Sequence, residues 1–210
     1  MRSISRSVVL ALAGLLVIGG APAAAATERE TVSGFIARAT FLSCDAAGCY
    51  ESIVLLTELT YASGESVFVD DRGCIYRDPS EPAPGTFYES LSACTDDATF
   101  ASDLGSASAS GWALIFAQDC IPGGGCGIAL PIDEATLSIV LSATGDRERV
   151  NEVVRTEYVD DGKRCHSIVV TTGWSRDATV TVEGYPYDLG TLTSATITEV
   201  ERRTTRTCGR

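Results

Sequence analysis

Ser52-Ile-Val-Leu-Leu-Thr-Glu-Leu-Thr-Tyr61 alternates. Ile53, Leu55, Leu59 and Tyr61 fall on one face of an extended chain, and Glu58 and Thr60 fall on the other. A period of two sustained over ten residues belongs to a strand, because a helix would repeat its apolar positions every three to four residues. Val150-Asn-Glu-Val-Val-Arg-Thr-Glu-Tyr-Val159 is equally extended in composition but mixes charged and apolar residues on both faces, as an edge or half-exposed strand does. Between such runs, turn residues recur at short intervals: Ser63-Gly64, Asp71-Arg-Gly73, Gly123-Gly-Gly125, Asp161-Gly162, Gly184 and Gly190. Beyond residue 26, Thr, Val and Ile make up 46 of 184 residues, and these β-branched types suit a pleated sheet better than a helix. No long segment carries helical periodicity. The expected class is all-β.

Upstream of the strands lies an export signal. Arg2 and Arg6 form a positive start, Val8 to Ile18 an apolar stretch, and Ala21-Pro-Ala-Ala-Ala-Ala26 a run of small residues suited to cleavage after Ala26. The rival reading is an uncleaved membrane anchor, since Val8 to Ala26 is uncharged over 19 residues. A processed chain is expected outside the cytoplasm, secreted, with no membrane attachment of its own.

The full chain has 210 residues and a formal net charge of −12. Removing Arg2 and Arg6 with the leader leaves 14 basic residues against 28 acidic ones. Such a balance excludes nucleic acid and anionic lipid as expected partners, because both are held by clustered Lys and Arg.

Four short matches recur in the same order along the chain. Ser52-Ile-Val-Leu55 matches Ser138-Ile-Val-Leu141, and Val69-Asp-Asp71 matches Val159-Asp-Asp161. Asp97-Ala-Thr99 matches Asp177-Ala-Thr179, and Asp103-Leu-Gly105 matches Asp188-Leu-Gly190. Their offsets are 86, 90, 80 and 85, so the expected organisation is two tandem repeats, 27–105 and 106–210, after the leader 1–26. They would form either two β-sandwich-like modules or one composite β-sandwich, and a sheet spanning the boundary is compatible with both.

Eight cysteines in an exported chain imply four disulfides. Cys44 with Cys49, and Cys120 with Cys126, enclose short turn-rich loops between strand-like runs, where a bridge across a hairpin base meets the required separation. Cys74, Cys94, Cys165 and Cys208 remain. Cys74 with Cys94 would staple a long loop and leave Cys165 with Cys208; the alternative pairs Cys74 with Cys120 by analogy to Cys165 with Cys208. Zinc knuckles built from the same short loops have looser spacing than such sites use, and no metal or other cofactor is expected.

Candidates for chemistry are few. His166 is the single histidine, so any nucleophilic mechanism must use it as base, yet its neighbours Cys165 and Ser167 would point to the opposite face of a strand. Asp70-Asp71 and Asp160-Asp161 each precede a turn glycine; turn chemistry accounts for them, with calcium as the alternative. The stretch 75–94 carries three prolines and the aromatics Tyr76, Phe87 and Tyr88, a possible contact loop unless those rings turn inward to cap the core.

Asp97-Ala-Thr-Phe100 and Asp177-Ala-Thr-Val180, each followed by Asp-Leu-Gly and a strand rich in Thr, Ser and Ala, resemble exported β-rich proteins of actinomycete type whose function is unknown. The likeness covers 97–116 and 177–200 and implies no activity, cofactor or partner. The expected function is a non-enzymatic extracellular binding or structural module whose partner is a protein or a glycan. A secreted inhibitor or toxin-like effector presenting disulfide-held loops is the first alternative, and a carboxylate-dependent hydrolase the second.

Overall fold

The computed structural model describes residues 27–44, 48–64, 66–80, 87–122, 125–160 and 162–208. The leader with its cleavage site, residues 81–86 of the proline-rich stretch, and Asp161 lie outside the described residues. Ten strands account for nearly all the rest: β1 (Thr27–Cys44), β2 (Cys49–Ser63), β3 (Ser66–Pro79), β4 (Tyr88–Asp96), β5 (Thr99–Phe100), β6 (Ser106–Cys120), β7 (Leu130–Ala143), β8 (Glu148–Asp160), β9 (Lys163–Glu183) and β10 (Thr191–Cys208). The class is all-β and disulfide-stapled.

The strands form one antiparallel sheet that closes on itself. Neighbours run β10, β1, β2, β3, β4, β6, β7, β9, and β9 pairs back to β10, completing a ring of eight. In place of the face-to-face sheets of a sandwich, the lumen of this barrel is the core. Alternating strands serve either architecture equally well, and closure depends on side chains small enough to share an axis. Ala37, Ala39, Ala93, Ala107, Ala109 and Ala113 supply that smallness, and Val54, Leu56, Ile75, Ile115, Leu137, Ile139, Leu141 and Ile197 fill what remains. An eight-stranded barrel is just wide enough to be filled in this way.

The ring occupies only part of each long strand. β7 and β8 lie end to end along one edge of β9: Ser138–Ala143 pairs with residues 178–183, and Glu148–Asp160 pairs with residues 163–175. At the join, residues 144–147 face only Arg176 and Asp177, a bulge pinned by Thr144 N–H donating to the Asp177 carbonyl (2.8 Å) and Arg176 Nε donating to the Gly145 carbonyl (2.9 Å). Past the bulge the barrel opens into a sheet ordered β8, β9, β10, β1, β2, β3, in which, among the described residues, β8 and the Ser66–Asp71 half of β3 are free edges. Burial records the change along β2. Ser52, Val54 and Leu56 point inward in the barrel wall, and from Thr57 onward the buried positions, Thr57 and Leu59, lie on the other face.

The bridges are Cys44–Cys49, Cys74–Cys94, Cys120–Cys126 and Cys165–Cys208, the first of the two pairings set out above. Each joins residues directly opposite on antiparallel neighbours. The sheet runs unbroken across residues 105 and 106, linking the two halves. Of the four sequence matches, Asp103-Leu-Gly105 and Asp188-Leu-Gly190 share one contact, the glycine N–H donating to the aspartate carboxylate at 2.8 and 3.0 Å before β6 and β10, but their backbones differ, with the positive φ at Leu104 in the first and at Gly190 in the second. Ser52–Leu55 and Ser138–Leu141 differ, because the first buries Ser52 and Val54 and the second buries Ile139 and Leu141. That match places its residues on opposite faces.

Candidate functional site: a groove at the mouth of the barrel

Where the barrel opens, Gly34, Val200, Gly173 and Val150 stand in register across β1, β10, β9 and β8. A Cβ on Gly34 would collide with the Glu58 carbonyl oxygen, and one on Gly173 with the Glu199 carbonyl oxygen. The two glycines therefore let adjacent backbones approach more closely than any side chain permits, and the sheet creases along this line.

One residue along, the face continuous with the lumen carries the row Phe35, Glu199, Trp174, Arg149, again opposite one another on the four strands. The next row on that face is Ser33, Glu201, Thr172, Asn151. Directly opposed side chains have Cβ atoms about 5 Å apart, so each row is a contiguous surface. Together with the crease, most of these residues line an open groove of about 450 Å³.

The groove is chemically mixed. Phe35 stacks on Phe100 with ring centroids 5.5 Å apart and anchors the barrel side. Trp174 is 42% exposed and lies between Glu199 on β10 and Arg149 on β8 in the cross-strand row. Arg203 Nε donates to Glu201 Oε1 at 2.8 Å, which orients that carboxylate. Ser33 and Thr172 add hydroxyls. An aromatic face ringed by a cation, carboxylates and hydroxyls suits a ligand with one apolar face and a polar rim. Glu199 and Glu201 are two residues apart on one strand and project side by side. Glycoside hydrolysis needs its two carboxyls on either side of the scissile bond, and this pair does not provide that arrangement.

The residues singled out in the sequence lie elsewhere. Tyr76 on β3 and Tyr88 on β4 are half-buried on the outer wall, while Phe87 is 72% exposed. They sit near the far end of the barrel, where Pro79 opposes Tyr50 and Cys44 meets Cys49, so they do not join the groove. His166 shares the Trp174 face of β9 and has its Nδ1 3.5 Å from Glu157 Oε1; Cys165 is buried in its disulfide and Ser167 is on the other face. Asp70 is taken up by Arg72 Nε at 2.8 Å and the Thr57 hydroxyl at 3.1 Å. Among the described residues no group of His, Cys, Asp and Glu is placed to hold a metal ion.

A second polar cluster closes the far end of the lumen. The Arg77 guanidinium lies 4.0 Å over the Tyr50 ring, and burial pushes the Tyr185 hydroxyl up to about 12 against the opposing influence of Arg77. Ser52 Oγ, Arg77 Nε and Tyr185 Oη are buried there without a hydrogen-bond partner among the described residues.

The groove residues escaped the sequence reading because they are spread from Ser33 to Glu201. The local signals were Gly34-Phe35 and Gly173-Trp174, each a glycine inside a strand followed by a large aromatic residue, which marks a close backbone approach. No protein-family model, curated protein or solved structure matches the chain.

Proposed function

We propose that this is an exported, non-enzymatic binding module that takes a carbohydrate in the groove beside Trp174. The observation carrying the reading is the row Phe35, Glu199, Trp174, Arg149 on the open face of the crease. The C–H face of a sugar ring packs on the indole, and its hydroxyls pair with the flanking carboxylates and guanidinium. The filled lumen directs binding to this outer groove, and the side-by-side setting of Glu199 and Glu201 favours recognition over hydrolysis. Export is supported by the leader-like first 26 residues and by four disulfides, which persist in oxidising compartments.

The test is a glycan array probed with the exported chain, followed by titration of the best ligand. Trp174→Ala is expected to weaken binding about tenfold or more, the scale set by losing an aromatic anchor. Trp112→Ala, on the outer wall and 59% exposed, is expected to leave it unchanged. Absence of glycan binding, or equal affinity of Trp174→Ala and the native chain, would refute the assignment.

A further inference from the structure

We propose that a second copy of this chain pairs antiparallel with the free edge of β8, with the two-fold axis passing through Val153. Among the described residues β8 bonds to β9 along one edge only and carries no strand on the other. Every residue from Asn151 to Asp160 is exposed, and Val153, Val154, Tyr158 and Val159 are 52%, 44%, 37% and 70% accessible. A long edge with apolar residues on both faces is a template for another strand, and chains that avoid such pairing blunt the edge with Pro, Lys or a bulge. Glu148–Asp160 contains no proline, lysine or glycine.

Charge selects the occupant and its register. A two-fold perpendicular to the sheet keeps each residue on its own face, so residues of the same parity must oppose one another. With Val153 on the axis, Val153 meets its own copy, and Arg149 meets the partner's Glu157 twice by symmetry. The neighbouring choices do worse. An axis at Glu152 sets Glu against Glu, one at Arg155 sets Arg against Arg, and one at Val154 sets Glu148 against Asp160. One at Thr156 gains Arg155 against Glu157 but sets Glu152 against Asp160, and one at Asn151 opposes no charges within β8. The strand is thus complementary to itself in a single centred register, and such an interface closes as a dimer. Among the described residues two other strand edges lack a partner: Ser66–Asp71 of β3 is shorter and carries Asp70 and Asp71 without a basic residue before Arg72, and Leu130–Leu137 of β7 contains Pro131 and the acids Asp133 and Glu134 with no basic residue, so neither offers such a self-match. Pairing from Glu148 to Tyr158 would add about ten main-chain hydrogen bonds and convert two six-stranded flaps into one continuous sheet.

The test uses the exported chain with its disulfides intact, in sedimentation velocity and light scattering across a concentration series. The native chain is expected to form a reversible dimer. Arg149→Glu sets like charges opposite each other at two symmetric places and is expected to raise the dimer dissociation constant about tenfold or more; Glu157→Arg acts the same way, and the double swap restores dimerisation. Val153→Cys is expected to give a disulfide-linked dimer under mild oxidation. Val159→Cys, on the same face but opposite Arg147 in this register, is expected to give none. A native chain that stays monomeric or forms open-ended polymers overturns the proposal. So does a dimer indifferent to Arg149→Glu, or crosslinking through Val159→Cys but not Val153→Cys.

Discussion

A methyl group placed on Gly173 would drive into the Glu199 carbonyl oxygen, on the neighbouring strand and beside the groove. Relief requires β9 and β10 to separate, which costs ladder bonds and flattens the crease. Gly173→Ala is therefore expected to lower stability by about 1–3 kcal/mol in urea denaturation and to weaken ligand binding at the same time. At the opposite end of the lumen the controlling residue is Tyr185. Its pKa is raised to about 12 by burial, so between pH 10 and 12 the unfolded chain releases this proton while the folded chain retains it. The folded state then binds more protons than the unfolded one, and stability must fall as pH rises through that window. Tyr61, also raised by burial and by Asp70, acts in the same direction. Melting temperature should decline above pH 10 in the native chain and decline less steeply in Tyr185→Phe, and an equal decline in both would show that this hydroxyl is not responsible.

Within single elements, physical patterning was legible wherever one strand decides the matter. Alternation identified Ser52–Tyr61 as extended, and the mixed faces of Val150–Val159 anticipated an edge. The inward side of β2 was not legible, since Ile53 and Leu55 are as apolar as Val54 and Leu56, and neighbouring strands decide which set the lumen receives. The change of buried face at Thr57 falls beside the crease, whose glycines lie on β1 and β9, so nothing within β2 reports it. Cysteine spacing carried more information, because a hairpin brings its own ends together. The four bridges close segments with sequence separations of 5, 20, 6 and 43. In the chain-entropy account a longer closed loop restrains the unfolded chain more, giving about 2 kcal/mol for Cys44–Cys49 and about 4 kcal/mol for Cys165–Cys208. Replacing Cys165 and Cys208 together by Ser should lower the denaturation midpoint more than replacing Cys44 and Cys49. The reverse order would show that native contacts around the bridges, and not loop length, set their worth.

For the molecule as a whole, the information missing from local patterns is long-range pairing: Thr27 opposes Thr207, and β10 sits between β1 and β9, which lie far apart in the chain. No periodicity within a window of ten residues reports such a contact, so closure into a barrel and assembly of the groove were beyond a local reading. The same topology sets how two copies would act together. A two-fold through Val153, perpendicular to the sheet, leaves both grooves on one face. Trp174 stands opposite Arg149, four residues along from Val153, so strand rise and spacing put the two indoles about 30 Å apart in the dimer. A surface coated with glycan could occupy both grooves at once, whereas a short oligosaccharide in solution could fill only one. Bivalent engagement is therefore expected to strengthen binding to the coated surface by about 10²-fold or more over the single-site affinity. Val153→Lys places like charges on the axis without touching the groove. It should abolish that gain while leaving oligosaccharide affinity unchanged in calorimetry, and a variant that still held the coated surface as tightly as the native chain would show that the grooves work singly.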